Sequence, residues 1–218
     1  MKPARALTRR RGGFTLVEVA VSAAILGLLL LSVGLTTLSG NRAYRAGMAQ
    51  NQLGIRAQRA LDRIADELAM GGTGGLTPNP TAPLGSSTLT FRTPNTYAAG
   101  AVTWGNSSRI DLQYLTDDGN DGVDNDGNGF ADDGAIVLTR NVGLASERST
   151  ILVRGVREYL EGETPNGADD NGNGLTDERG LSFVLSGDQL TIRLTLVGRD
   201  ANGSSITHTV STSIKVRN

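Results

Sequence analysis

Arg10-Arg11-Gly12-Gly13-Phe14-Thr15-Leu16-Val17-Glu18-Val19 opens an apolar run that continues to Leu38, and the reading of this stretch governs the reading of the rest of the chain. The run from Phe14 to Leu38 has 25 residues and one charge, Glu18. At ~1.5 Å per helical residue it reaches about 37 Å, enough to cross a ~30 Å hydrocarbon layer with some tilt. A cleavable secretory signal has a shorter apolar core, usually ~7–15 residues, followed by a small-residue cleavage site. No A-x-A-like site follows promptly here, so the segment reads as a membrane span. Five of the 21 basic residues, Lys2, Arg5, Arg9, Arg10 and Arg11, precede it. Basic clusters stay on the cytoplasmic side, which puts the bulk of the chain outside the cytoplasm. Arg42 and Arg45 beyond the span weaken this asymmetry without reversing it.

Glu18 is the residue that needs explaining. An ionised side chain at the centre of a span costs roughly 2.5–3.5 kcal/mol by insertion scales. Either Glu18 lies near the interface and snorkels to headgroups, or it has a partner, and the span itself offers no evident one. The order of basic leader, Gly13, Phe14, Thr15, Leu16, Glu18 and apolar run resembles the processing site of type IV pilins and type II secretion pseudopilins. The resemblance covers roughly residues 9–38. It implies that a prepilin peptidase of the membrane cuts between Gly13 and Phe14, leaving the helix in the bilayer, and then methylates the new Phe14 amino group. Glu18 would then assist assembly, near the positive end of its own helix dipole (~0.3–1 kcal/mol) and paired with the Phe14 ammonium of a neighbouring subunit. Low dielectric makes an unpaired charge expensive, so such a pair favours staggered helices. Ala20, Ser22, Ala23, Ala24 and Gly27 are small enough for close helix approach. One departure stands out: Leu35 occupies the place where many pilins have a proline, so a kink there lacks its usual cause.

Beyond the span, Leu53, Ala57, Leu61, Ile64 and Leu68 form one apolar helical face. Arg59/Asp62, Arg63/Asp66 and Arg63/Glu67 have the spacing of helical ion pairs. Gly40, Gly47 and Gly54 leave the continuity of the helix open, and Gly71-Gly72-Thr73-Gly74-Gly75 ends it. A continuous helix from Phe14 to Met70 would be about 85 Å long. Short alternating runs follow at 87–92, 109–115, 135–140, 150–156, 181–186, 189–198 and 205–217. In the last pair Leu190, Ile192, Leu194 and Leu196 share parity, as do Ile206, Val210, Ile214 and Val216, with Asp200-Ala201-Asn202-Gly203 as the hairpin loop. The expected fold is α+β: a long N-terminal helix packed on an antiparallel sheet. The division expected is a leader at 1–13, a transmembrane half at 14–38, an amphipathic half at 39–70 and a β-rich extracytoplasmic head at 71–218.

The formal net charge of -1 conceals a strong asymmetry, because 13 of the 22 acidic residues lie in two stretches, 117–133 and 161–178, that contain no Lys or Arg. These stretches repeat at an offset of 45 residues and fit D-x-[DN]-x-N-G-x-x-D. The matching residues are Asp124, Asp126, Asn128, Gly129 and Asp132, then Asp169, Asn171, Asn173, Gly174 and Asp177. The pattern resembles the calcium loops of EF-hand and thrombospondin type 3 repeats, in which oxygens at positions 1, 3 and 5 converge on one cation and Gly at 6 permits the turn. Ala135 and Gly180 stand where an EF-hand has its closing Glu, so a complete EF-hand is excluded, and Asp133, Glu178, Asp121 or water would complete coordination. The plainer alternative is a pair of Asx-rich turns between strands. Calcium is expected in at least one loop, the more acidic first one above all, in a structural role and with affinity near ~10⁻⁴–10⁻³ M.

With no Cys, disulfides and thiolate sites are excluded. The one histidine, His208, reads as a partly buried strand residue, and no nucleophile–base pair is present, so an enzyme is not expected. Nor does the net charge suggest nucleic-acid binding. The helix segment Ala57–Leu68 followed by strands and a C-terminal hairpin is most similar to a J-type minor pseudopilin or a PilW-like minor pilin. That implies a structural subunit of a type II secretion pseudopilus in the bacterial inner membrane, at a filament tip, helping to start assembly with other pilin or pseudopilin subunits. The alternatives are a minor type IV pilin serving adhesion, motility or DNA uptake, and a membrane-anchored calcium-dependent binding module.

Overall fold

The computed structural model describes residues 13–72, 76–77, 86–98, 100–114 and 119–216, so most of the leader lies outside the described residues. One helix, α1 (Leu16–Ala69), is followed by seven strands: β1 (Thr88–Ala98), β2 (Ala101–Gln113), β3 (Gly134–Arg140), β4 (Arg148–Val156), β5 (Leu181–Ser186), β6 (Gln189–Arg199) and β7 (Ser205–Lys215). This is the α+β, pilin-like architecture the sequence predicts. The chain divides into two compact units, Met1–Tyr44 and Arg45–Asn218.

In the first unit, α1 presents its large apolar side chains outward: Leu16, Val17, Ile25, Leu29 and Leu38 are all exposed. The helix is long and apolar enough to cross a membrane. Neither Leu35 nor Gly40 interrupts it. With no proline in the run, nothing removes an i→i−4 hydrogen bond or clashes with the preceding turn.

In the second unit, the same helix buries one stripe, Leu53, Ala57, Leu61, Ile64 and Leu68, as its spacing predicts. This stripe joins Phe91, Ile110, Ile136, Phe183 and Ile192 in one core. The strands form an antiparallel sheet in the order β1-β2-β3-β4-β6-β5, with β7 paired to the other side of β6. The sheet curls, and an isolated bridge between Ser86 and Phe183 links the segment before β1 to β5. The β6–β7 hairpin pairs from Gln189↔Lys215 to Arg199↔Ser205. Leu190, Ile192, Leu194 and Leu196 are fully buried. The half-buried His208 faces α1, where Gln50 Nε2 donates to Thr207 O at 3.1 Å. A side-chain carbon at position 54 would come within 3.1 Å of the imidazole Nε2, so Gly54 gives β7 room to approach the helix.

Two expectations are corrected. The first hairpin extends well past 87–92 and 109–115, because Pro94 sits in an edge strand at a register shift, where a missing N–H costs no ladder bond. The helical ion pairs do not form: Asp62 accepts from Gln58 Nε2 at 2.8 Å, and Glu67 reaches across to Arg140 at 2.6 Å. Surface i,i+4 pairs are worth so little that other partners readily displace them.

Candidate functional site

The processing segment comes first in the chain. Gly13, Phe14 and Thr15 are non-helical and exposed, and α1 begins at Leu16. The Gly13–Phe14 bond therefore lies in open backbone just ahead of the first turn. Thr15 is the N-cap. Its Oγ1 accepts from Glu18 N at 3.2 Å, while Glu18 Oε2 accepts from Thr15 N at 2.8 Å and from Thr15 Oγ1 at 3.0 Å. This is a reciprocal capping box, T-x-x-E, which satisfies donors that the first helical turn leaves orphaned. Glu18 thus has a partner inside its own segment, contrary to the sequence expectation, and the signal was the three-residue spacing from Thr15. Both bonds fall on Oε2, so Oε1 accepts no hydrogen bond among the described residues.

The two acidic loops have one backbone fold. Four pairs of positions have left-handed φ: Asp132 and Asp177 at 54° and 50°, Gly122 and Gly167 at 80° and 79°, Gly127 and Gly172 both at 72°, Gly129 and Gly174 at 92° and 87°. Their hydrogen bonds repeat as well. Gly129 N donates to Asp124 Oδ2 and Gly174 N to Asp169 Oδ2, both at 2.7 Å. Asp126 accepts from Asn128 N at 2.9 Å and Asn171 from Asn173 N at 3.0 Å. Asn128 accepts from Phe130 N at 2.8 Å and Asn173 from Leu175 N at 2.9 Å. Asp132 and Asp177 reach back to the N–H groups of Gly122 and Gly167, each at 3.0 Å.

The loops differ in what neutralises them. In the second, buried Glu163 accepts from Asn171 N at 3.1 Å and from Asp177 N at 3.0 Å. Buried Glu178 accepts from Ser182 Oγ and Arg193 Nη1, each at 2.9 Å, and also from Asn173 Nδ2. Thr164 Oγ1, and then Asn166 Nδ2, hold the Asp170 carboxyl below its usual range. In the first loop, by contrast, Asp124 Oδ1 is buried with no hydrogen-bond partner among the described residues. A buried carboxylate oxygen left unpaired is costly, and a cation at position 1 of the loop would relieve it. The donor set of all-oxygen ligands suits a hard cation such as calcium. Among the described residues, no three His, Cys, Asp or Glu side chains already converge as a metal site.

Arg199, at the end of β6, holds the first loop from outside. Its Nε donates to Asn128 O at 2.9 Å, Nη1 to Gly203 O at 3.2 Å, and the guanidinium lies 5.4 Å from the Phe130 ring centroid. Sequence reasoning missed Arg199 and Glu163. No local pattern marks Arg199; Glu163 was legible only as an acid inside the second stretch.

Over residues 8–34 the sequence matches the family model described as the prokaryotic N-terminal methylation motif. No curated protein and no solved structure matches the chain. Residues 8–34 thus carry a prokaryotic N-terminal methylation motif, which supports the resemblance of this segment to type IV pilins and pseudopilins.

Proposed function

We propose that this chain is a structural, non-enzymatic subunit of an envelope filament, a minor pseudopilin of a type II secretion system that helps to start assembly. A prepilin peptidase cuts between Gly13 and Phe14 and methylates Phe14. Residues 14–38 anchor the chain in the bacterial inner membrane with the leader cytoplasmic and the head extracytoplasmic. Glu18 then pairs through Oε1 with the Phe14 ammonium of an adjacent pilin or pseudopilin subunit. The observation that carries this reading is the open, non-helical Gly13–Phe14 bond standing directly before the Thr15–Glu18 capping box, in register with the methylation motif. An enzyme that cuts there finds exposed, non-helical backbone, and the helix behind it needs no unwinding.

The first acidic loop fits a structural calcium ion better than the second. Asp124, Asp126, Asn128 and Asp132 would hold it, and the ion would supply positive charge that the loop's own residues lack. In the second loop, Asp169, Asn171, Asn173 and Asp177 form the matching set, but its inner acids are already satisfied by backbone N–H groups, Ser182 and Arg193.

Mass spectrometry of the mature N-terminus tests the reading. A chain beginning with N-methylated Phe14 is expected, whereas an intact leader on the assembled protein defeats it. A membrane-anchored binding module with no filament role should tolerate substitution of Gly13 without loss of function, and a filament subunit should not.

A further inference from the structure

In the head, a groove of about 590 Å³ runs between α1 and β4, lined by Arg56, Arg59, Arg63 and Arg154 over a floor that includes Ala60 and Val153. Four guanidinium groups on one groove is a strong charge concentration in a chain of net charge -1. Their local neutralisation is incomplete. Arg56 Nη2 donates to Arg154 O at 3.2 Å, and an adjoining recess sets both residues beside Asp126 and Asp133 of the first acidic loop. Among the described residues, Arg59 and Arg63 have no such compensation. The acids at helical spacing from them do not pair with them, since Asp62 is bonded to Gln58 and Glu67 to Arg140, and no ion pair engages Asp66 among the described residues.

The groove's other wall is a strand edge. β4 pairs with β3 along its length, from Gly134↔Val156 to Arg140↔Arg148. On its other side it meets β6 at Val156↔Leu196 alone. Residues 148–151 are exposed, and Ile151 is 40% exposed. Among the described residues, 148–154 therefore present an edge without a strand partner, about 23 Å long at ~3.3 Å per residue. Arg148, Arg154 and the register shifts of this strand keep it from pairing indiscriminately. The same positive charge selects for an incoming strand of opposite sign.

We propose that this groove receives an extended acidic segment from another subunit of the filament, added as a strand on the free edge of β4 with its carboxylates on Arg59 and Arg63. Main-chain hydrogen bonds to β4 supply affinity, and the alternate side chains of the added strand read the arginines on one face and solvent on the other. The proposal deepens the assembly reading above, on which it rests only for the source of the segment.

The test uses the full chain in detergent micelles and a fluorescein-labelled peptide of alternating Glu and Val. Binding followed by anisotropy is expected, with slowed hydrogen exchange at residues 148–154. Arg59→Glu with Arg63→Glu should weaken binding at least about tenfold, and the milder Arg59→Gln with Arg63→Gln should weaken it less while keeping the head folded. Backbone N-methylation at alternate peptide residues should abolish binding. The proposal is overturned by failure to bind, by binding that ignores N-methylation or leaves 148–154 unprotected, or by duplex DNA binding the groove in preference to the peptide. Cleavage after Gly13 and the role of Glu18 do not involve Arg59 or Arg63, so the two readings fail separately.

Discussion

The guanidinium of Arg199 fills the space that a side chain on Gly129 would need, so a Cβ at the sixth position of the first acidic loop would push it off Asn128 O and Gly203 O. The Gly129 φ of 92° disfavours any residue with a Cβ, and that Cβ would overlap the Arg199 side chain. The loop turns sharply, and β6 closes over the turn.

Gly129→Ala should therefore destabilise the head by more than the ~1–2 kcal/mol of left-handed strain alone. Gly127→Ala supplies the control, since its φ is 72° and nothing lies within 4 Å of the added carbon. Thermal unfolding of both variants checks this: a larger loss for Gly129→Ala is expected, and equal losses would remove Arg199 from the account.

Charge and cap at the N-terminus can be separated. Glu18→Gln retains an acceptor for Thr15, because glutamine also closes a capping box, but it removes the negative charge. It should leave the first helical turn formed and abolish incorporation into filaments. Thr15→Ala should do the reverse, weakening the turn by about 1 kcal/mol while assembly persists. Filament content is read by shearing and immunoblotting, and the turn by hydrogen exchange; normal incorporation of Glu18→Gln would end the assembly role assigned to that carboxylate.

Calcium should raise the melting temperature of the chain in detergent, by an amount that reflects about 2.7 kcal/mol at a hundredfold excess over the dissociation constant. Asp124→Asn should cancel most of that shift and Asp169→Asn little of it, because the unpaired buried oxygen belongs to Asp124. Identical calcium shifts in all three proteins would mean that the ion, if bound, sits elsewhere.

Alkaline stability should depend on Tyr114. Burial pushes its hydroxyl above the ordinary tyrosine range, against an opposing influence from Arg179, whose Nη1 donates to the Tyr114 oxygen at 3.2 Å. A group whose folded pKa is raised contributes stability that is complete below the unfolded value and is lost as pH rises through the folded one. Unfolding free energy should accordingly fall as pH climbs above about 10, and Tyr114→Phe should flatten that fall. A variant with the same alkaline slope as the parent would assign the loss to other groups.

The buried stripe of the long helix and the inner strand of the last hairpin were legible through periodicity: 3.6 for Leu53 to Leu68, 2 for Leu190 to Leu196. Such patterns survive in one dimension, since a face that must be buried constrains every residue that shares it. The processing motif was legible for a different reason, its fixed order of Gly13, Phe14 and Glu18, and the capping role of Thr15 lay in the same letters. Position 54 was misleading. Gly54 reads as a helix breaker locally, yet its purpose is the approach of His208, a residue 154 positions away.

By itself, then, the sequence determined the apolar run, the methylation motif, the α+β pattern and the 45-residue repeat of the acidic loops, because local composition and spacing encode these directly. Only the tertiary structure decided which loop keeps an unpaired oxygen, which arginines escape their neighbouring acids, and where β4 loses its partner strand. The last two depend on residues distant in the chain: Arg140 holds Glu67, and β4 meets β6 at Val156↔Leu196 alone. Charge compensation and strand pairing are settled by which groups the fold brings within reach, and no spacing along the chain records that distance.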